Sequence, residues 1–155
     1  MTKKNIRDIT RSLFEVSSHR NLELIETHEQ SPKVVNAIVE IPKGTSAKYE
    51  YNPKLDTFQL DRCLPSSMKY PCSYGFIPST IAEDNDPLDI LIYNDTPIDR
   101  GTLVECNIIG ALDMTDSGGR DWKILGTPTS HVRNYRSLKD IDPMFFKVAS
   151  NFFKH

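Results

Sequence analysis

The sequence predicts a mainly β, α+β domain: a small antiparallel sheet or barrel with a helix towards either end. Three observations carry this. Between Val34 and Lys123 the apolar residues alternate or fall in short β-branched runs, separated by Pro, Gly, Asn and Asp. No helix-length segment interrupts those runs, which argues against βαβ units. Outside that stretch, apolar spacing turns helical near both ends of the chain.

Taken in order, residues 4–16 place Ile6, Ile9, Leu13 and Val16 on one side of a short amphipathic helix. Strands are expected at 34–41 (VVNAIVEI), 48–51 (KYEY), 57–64 (TFQLDRCL), 88–93 (LDILIY), 103–114 (LVECNIIGALDM) and 121–125 (DWKIL). The intervening MKYPCSYGFIP, 68–78, reads as a Pro-containing, Gly-terminated loop. For the last helix, Asp142 is the expected N-cap and Pro143 the first helical residue. Phe145, Phe146, Ala149, Phe152 and Phe153 then share its apolar side. There is no internal repeat and no low-complexity segment.

A chain of 155 residues is the usual size of one domain. Lys+Arg number 19 and Asp+Glu 21, a formal net charge of -2, so no basic excess points to nucleic acid. No apolar run approaches the roughly 20 residues that span a bilayer, so no membrane partner is expected. The basic N-terminus lacks an apolar segment behind it, so no signal peptide is visible. Cys63, Cys72 and Cys106 are odd in number and widely spaced, as reduced thiols of a cytoplasmic protein are.

The densest chemical signal is EDNDPLDI, 83–90, with Asp84, Asp86 and Asp89. Three carboxylates stiffened by Pro87 concentrate repulsion that a hard divalent cation relieves. An acidic surface turn is the plainer reading. An EF-hand fails, because Asp89 stands where that loop needs Gly and no glutamate follows at the twelfth place. A second acidic group, Asp116 and Asp121, flanks the tight turn at Ser117-Gly118-Gly119, and Lys123 shares a strand face with Asp121. Lys48 and Glu50 share one face of their strand; Arg62 follows Leu60 and Phe58, and Glu40 follows Val34 and Ile38, on others. Each alone is ordinarily a solvated strand end. Tyr70 and Tyr74 offer phenol hydroxyls to an anion, or are core tyrosines. The four histidines, His19, His28, His131 and His155, have no metal-ligand spacing, and Cys72 has no neighbour that suggests a nucleophilic thiol.

In order, these pieces resemble the soluble family I inorganic pyrophosphatases. DNDPLDI at 84–90 fits that family's D-x-D-P-x-D signature. EIP at 40–42, KYE at 48–50, DR at 61–62, YPCSYGFIP at 70–78, MTD at 114–116 and Asp121 with Lys123 follow the same order. The resemblance implies a small closed, OB-like five-stranded barrel with flanking helices. It also implies metal-dependent hydrolysis of pyrophosphate to two phosphates by a metal-activated water, as an inorganic diphosphatase. Along one domain spanning 1–155, it implies an N-terminal helix and extension (1–33), a barrel with the metal and pyrophosphate site (34–125) and a C-terminal helical segment (126–155).

Residue by residue, the resemblance assigns Asp84, Asp89 and Asp121 to the tightest metal, with Asp89 also reaching a second. Asp116 and Asp121 would hold a third that arrives with substrate, and Glu40 and Glu50 would act through water. Asp86 would accept the proton of, or orient, the attacking water. Arg62, Lys48 and Lys123 would neutralise phosphate oxygens, with Tyr70 and Tyr74 as hydroxyl partners. The expected cofactor is Mg²⁺, several per site, with Mn²⁺ or Zn²⁺ substituting and Ca²⁺ inhibiting. The expected assembly is a homo-oligomer, a hexamer as in bacterial relatives or a dimer.

In that family the last helix runs on into a Tyr-Lys pair that binds phosphate, whereas this sequence ends at His155. The alternative to a full enzyme is therefore a weakly active or non-catalytic pyrophosphate-binding homologue. An oligonucleotide-binding barrel is a third reading, opposed by the carboxylate-rich face.

Overall fold

Alternation decides which residues meet. The computed structural model describes residues 20–154. It contains strands β1 (Val34–Ile41), β2 (Ala47–Asn52), β3 (Thr57–Cys63), β4 (Ser73–Ile77), β5 (Leu88–Ile92), β6 (Leu103–Asp113) and β7 (Trp122–Pro128), and helix α1 (Pro143–Phe153). The helix expected over 4–16 lies outside the described residues. Among the described residues, no helix is long and apolar enough to cross a membrane.

Five strands close into a barrel in the order β1-β4-β5-β7-β6, and β2 and β3 form a separate hairpin. Every barrel strand sends alternate side chains inward. Val35, Ala37 and Val39 of β1, Ile77 of β4, Ile90 and Ile92 of β5 and Cys106 of β6 form one buried cluster, with Ile124 of β7 against it. Burying such side chains contributes roughly 1.5–3 kcal/mol each, which holds the barrel shut.

The outer face serves two neighbours. Leu91 and Leu125 pack with Phe145, Phe146 and Phe153 of α1, and Ala149 is fully buried. The Asp142 carboxylate accepts from the Met144 amide at 2.9 Å, capping α1 with Pro143 in its first turn. On the other side Ile38 and Phe76 lie beneath Tyr51 and Phe58 of the hairpin.

Three expectations need correction. The sheet is not wholly antiparallel, because β5 and β7 run parallel. The supposed loop at 68–78 contains β4, which pairs with both β1 and β5. Its Gly75 is not a loop signal: a Cβ there would lie 1.9 Å from the Ile38 carbonyl oxygen, so only glycine lets the two backbones approach. The third concerns the hairpin, where Lys48 faces Arg62 but Tyr49 faces Leu60, leaving Asp61 as a bulge. Strict alternation stops there, so Arg62 does not simply continue the face of Phe58 and Leu60. Glu40 is likewise skipped between the pairs Val39–Gly75 and Ile41–Tyr74. Bulges re-aim side chains, and both of these sit beside the site described next.

Candidate active site

The inward set fixes the outward one. Asp89 lies between core-facing Leu88 and Ile90, so its carboxylate points out of the barrel. In register it stands between Phe76 of β4 and Lys123 of β7. Lys123 is only 6% exposed. Its ammonium donates to Tyr74 Oη at 3.1 Å, Asp89 Oδ2 at 3.2 Å and Asp121 Oδ1 at 3.2 Å. Three donors thus meet three acceptors. The rings of Tyr74 and Phe153 flank the same nitrogen at 5.2 and 5.3 Å.

The loop before β5 supplies two further carboxylates. Asn85 takes a positive φ of 68°, and the Asp86 amide donates to Asp84 Oδ1 at 3.0 Å. The hairpin supplies Lys48, held by Glu50 at 3.1 Å and by the bulged Asp61 at 3.0 Å. From β1, Glu40 Oε2 accepts the Tyr51 amide at 2.8 Å.

These elements enclose a cavity of about 450 Å³, lined by Glu40, Glu50, Asp84, Asp86, Asp89 and Asp121 together with Lys48 and Lys123. A second hollow of about 190 Å³ holds Lys48, Arg62, Tyr70, Tyr74 and Lys123, with Phe152 and Phe153 as its apolar wall. The two share Lys48, Tyr74, Asp121 and Lys123. An acidic basin therefore adjoins a cationic one. Asp116 lines neither basin: it closes the turn with Gly119, and its Oδ1 accepts the Gly118 amide at 2.8 Å. Glu23, from the 3₁₀ turn Leu22–Leu24, also lines the acidic basin. Nothing in its local sequence marks it.

The crowding shows in the titration of these groups. Glu40 is pushed from 4.5 up to about 7, first by burial and then by Asp89 and Glu50, against the Tyr51 amide and Lys48. Asp86 is raised by partial burial and then by Asp84, Glu50 and Asp89. Burial raises the Tyr70 hydroxyl to about 12; burial and then Asp89 raise Tyr74, which stays a protonated donor. Among the described residues no three acidic, His or Cys groups are already drawn together as a cation cage. Asp89 and Asp121 are instead held by Lys123. The donor set itself fits hard divalent cations: it is all oxygen, and its carboxylates outnumber its ammonium groups.

A pH test follows for Glu40. A cation nearby would favour the charged carboxylate, so affinity should climb as pH rises through about 7. Calorimetry in buffers of different ionisation enthalpy should show proton release near pH 6, lost in Glu40→Gln. Without cation the sign is opposite: with a raised acid pKa the fold loses stability as pH rises from 4.5 through about 7, and the loss is complete above that. At about 1.4 kcal/mol per pH unit, the upper limit is about 3.5 kcal/mol.

An acidic basin for cations beside a cationic basin for an anion defines a site for a polyanionic substrate and the cations that escort it. The comparisons give that class a narrower form. The family described as inorganic pyrophosphatase matches residues 37–155. An inorganic pyrophosphatase of Thermus thermophilus is 45% identical over 136 residues, 86% of this chain and 78% of that protein. A crystal structure of inorganic pyrophosphatase from Thermus thermophilus superposes with a TM-score of 0.82 at 38% identity, covering 86% of this chain and 78% of that one. One from Neisseria gonorrhoeae gives 0.81 at 34% identity, covering 87% and 80%. The chain belongs to the inorganic pyrophosphatase family.

Proposed function

We propose that this protein hydrolyses inorganic pyrophosphate to two phosphates in the joined basins on the outer wall of its barrel. One observation carries the reading: carboxylates and cationic side chains share a single enclosure and meet at Lys123. A substrate of high negative charge needs both, the acids to recruit cations and the cations to hold phosphate. When bound, divalent cations supply charge neutralisation and acidify water.

The chain's own groups do the rest. Asp84, Asp89 and Asp121 would hold the tightest cation, Glu40 and Glu50 would act from its edge through water, and Asp116 with Asp121 would hold a further cation that arrives with substrate. Asp86 orients a water against one phosphorus and takes its proton as the new P–O bond forms and the bridging P–O bond breaks. Lys48, Arg62 and Lys123 neutralise the phosphate oxygens, and Tyr70 and Tyr74 donate hydroxyl hydrogens. Mg²⁺ suits this set best, with Mn²⁺ or Zn²⁺ as substitutes. Three unpaired cysteines support a cytoplasmic setting. Exposed Leu103 and Val132, which line one surface hollow, support a homo-oligomer, which light scattering would size.

Phosphate release from pyrophosphate tests the reading directly. It should vanish in excess chelator and return with Mg²⁺, while Ca²⁺ binds but supports poor turnover, its coordination being looser. Undiminished release in chelator would exclude the mechanism. Trp122, the sole tryptophan, adjoins Asp121 and is half-exposed beside Asp84 and Asp89. Its fluorescence should therefore shift on cation addition, a signal independent of turnover.

A further inference from the structure

The hairpin β2–β3 brings Lys48, Glu50 and Arg62 to the site, yet it lies outside the hydrogen-bonded barrel. Something other than the sheet ladder must set its distance from Asp89 and Lys123. The Tyr51 ring rests on the barrel, its centroid 5.8 Å from that of Phe76. The stacking is apolar, and the Tyr51 hydroxyl accepts the Leu22 amide at 2.9 Å. A second contact is directional. The Arg100 guanidinium lies 3.4 Å from the Tyr49 ring centroid, and its Nε donates to the Glu40 carbonyl at 2.9 Å.

The position of Arg100 is itself fixed. Gly101, at φ 88°, donates its amide to the Val39 carbonyl at 2.8 Å, and the Val39 amide donates to Thr102 at 3.1 Å. The turn before β6 is thus stitched to β1 just where that strand is bulged. The bulge takes Glu40 out of register with β4, and Arg100 gives its carbonyl a partner. Glu40 is then held at both ends, by Arg100 through its main chain and by the Tyr51 amide through its carboxylate. Tyr49 and Tyr51 both belong to β2, so the contacts close a loop from barrel to hairpin and back.

We propose that Arg100 is a positioning residue, setting the separation between the hairpin's Lys48 and Arg62 and the barrel's Asp89 and Lys123. It acts through Tyr49 and Glu40 and lines neither basin. Arginine is required because a planar guanidinium stacks on a ring while its Nε still donates in plane; an ammonium offers no such plane. The catalytic consequence rests on the function proposed above, but the structural one does not.

Hydrogen exchange on Arg100→Gln, with calorimetry and steady-state kinetics, tests this. Amides of residues 48–63 should exchange faster while those of β5 and β7 keep their protection. KM for pyrophosphate should rise about tenfold or more, with a smaller fall in kcat, since misplacing a binding group by about 1 Å costs up to 10²-fold. Cation affinity should stay within about twofold, because Asp84, Asp89 and Asp121 are carried by the barrel and its loops. Arg100→Lys should behave like Arg100→Gln. Tyr49→Phe, which keeps the ring, should retain hairpin protection, and Tyr49→Leu should lose it. Unchanged exchange in the hairpin of Arg100→Gln would overturn the proposal, as would loss of protection spread equally over the barrel. If the unmodified protein releases no phosphate, the function reading fails, and the exchange pattern still decides the role of Arg100.

Discussion

Asp86→Asn should lower turnover by roughly 10²–10⁴-fold, the usual range for loss of a general base. The substitution keeps the shape of the loop. The Asp86 amide still donates to Asp84 and its carbonyl still accepts the Ala82 amide, at 3.0 and 2.7 Å. What disappears is the charge and the basic oxygen. That oxygen is more basic than in an ordinary aspartate, through partial burial and then the neighbouring Asp84, Glu50 and Asp89. Cation affinity measured by calorimetry should change less than kcat, since the tightest site is assigned to other carboxylates. Near-normal turnover would remove Asp86 from the role of base.

Lys123→Met should act on both binding and stability. Methionine keeps an unbranched stem of similar length but offers no donor to Tyr74, Asp89 or Asp121. Loss of one charge-assisted contact to phosphate corresponds to about 1.5–3 kcal/mol, or about 10- to 150-fold in kcat/KM. Removing one partner of a buried ion pair costs about 3–5 kcal/mol. Here Asp89 and Asp121 are 35% and 45% exposed, so water recovers part of that, leaving about 1–2 kcal/mol. The melting temperature without cation should therefore fall by several degrees. Divalent cation should restore more of it in the variant than in the parent, because Asp89 and Asp121 then lack their internal counter-charge. A variant with parental kcat/KM and melting temperature would show that Lys123 is a spectator.

The strands of the barrel were readable where alternation was strong, as in β1, β5 and β6, and α1 was readable from its cap and phenylalanines. β4 was not, because Pro71 and Gly75 carry the same letters that mark a loop. Only the approach of Ile38 explains the glycine. The parallel pairing of β5 with β7 was equally hidden, since strand order depends on barrel closure and not on local composition. For the site, period-two spacing put Asp121 and Lys123 on one face, as the structure has them. The tight turn is what grouped Asp116 with Asp121, and the structure has that turn, closed by the bridge from Asp116 to Gly119. Bulges account for much of the remainder. Glu40 and Asp61 are unpaired residues, and no simple alternation says where their side chains go.

The division of each barrel strand into an inward apolar set and an outward chemical set limits how this chain can change. Substitution touches one set at a time. A one-residue insertion or deletion within β5 or β7 exchanges them, turning Asp89 or Lys123 towards the interior and Ile90 or Ile124 towards solvent. Such a change strikes stability and chemistry together, and no second substitution nearby repairs both. Length variation is therefore tolerable in the turns, or where a bulge absorbs the extra residue as at Glu40 and Asp61.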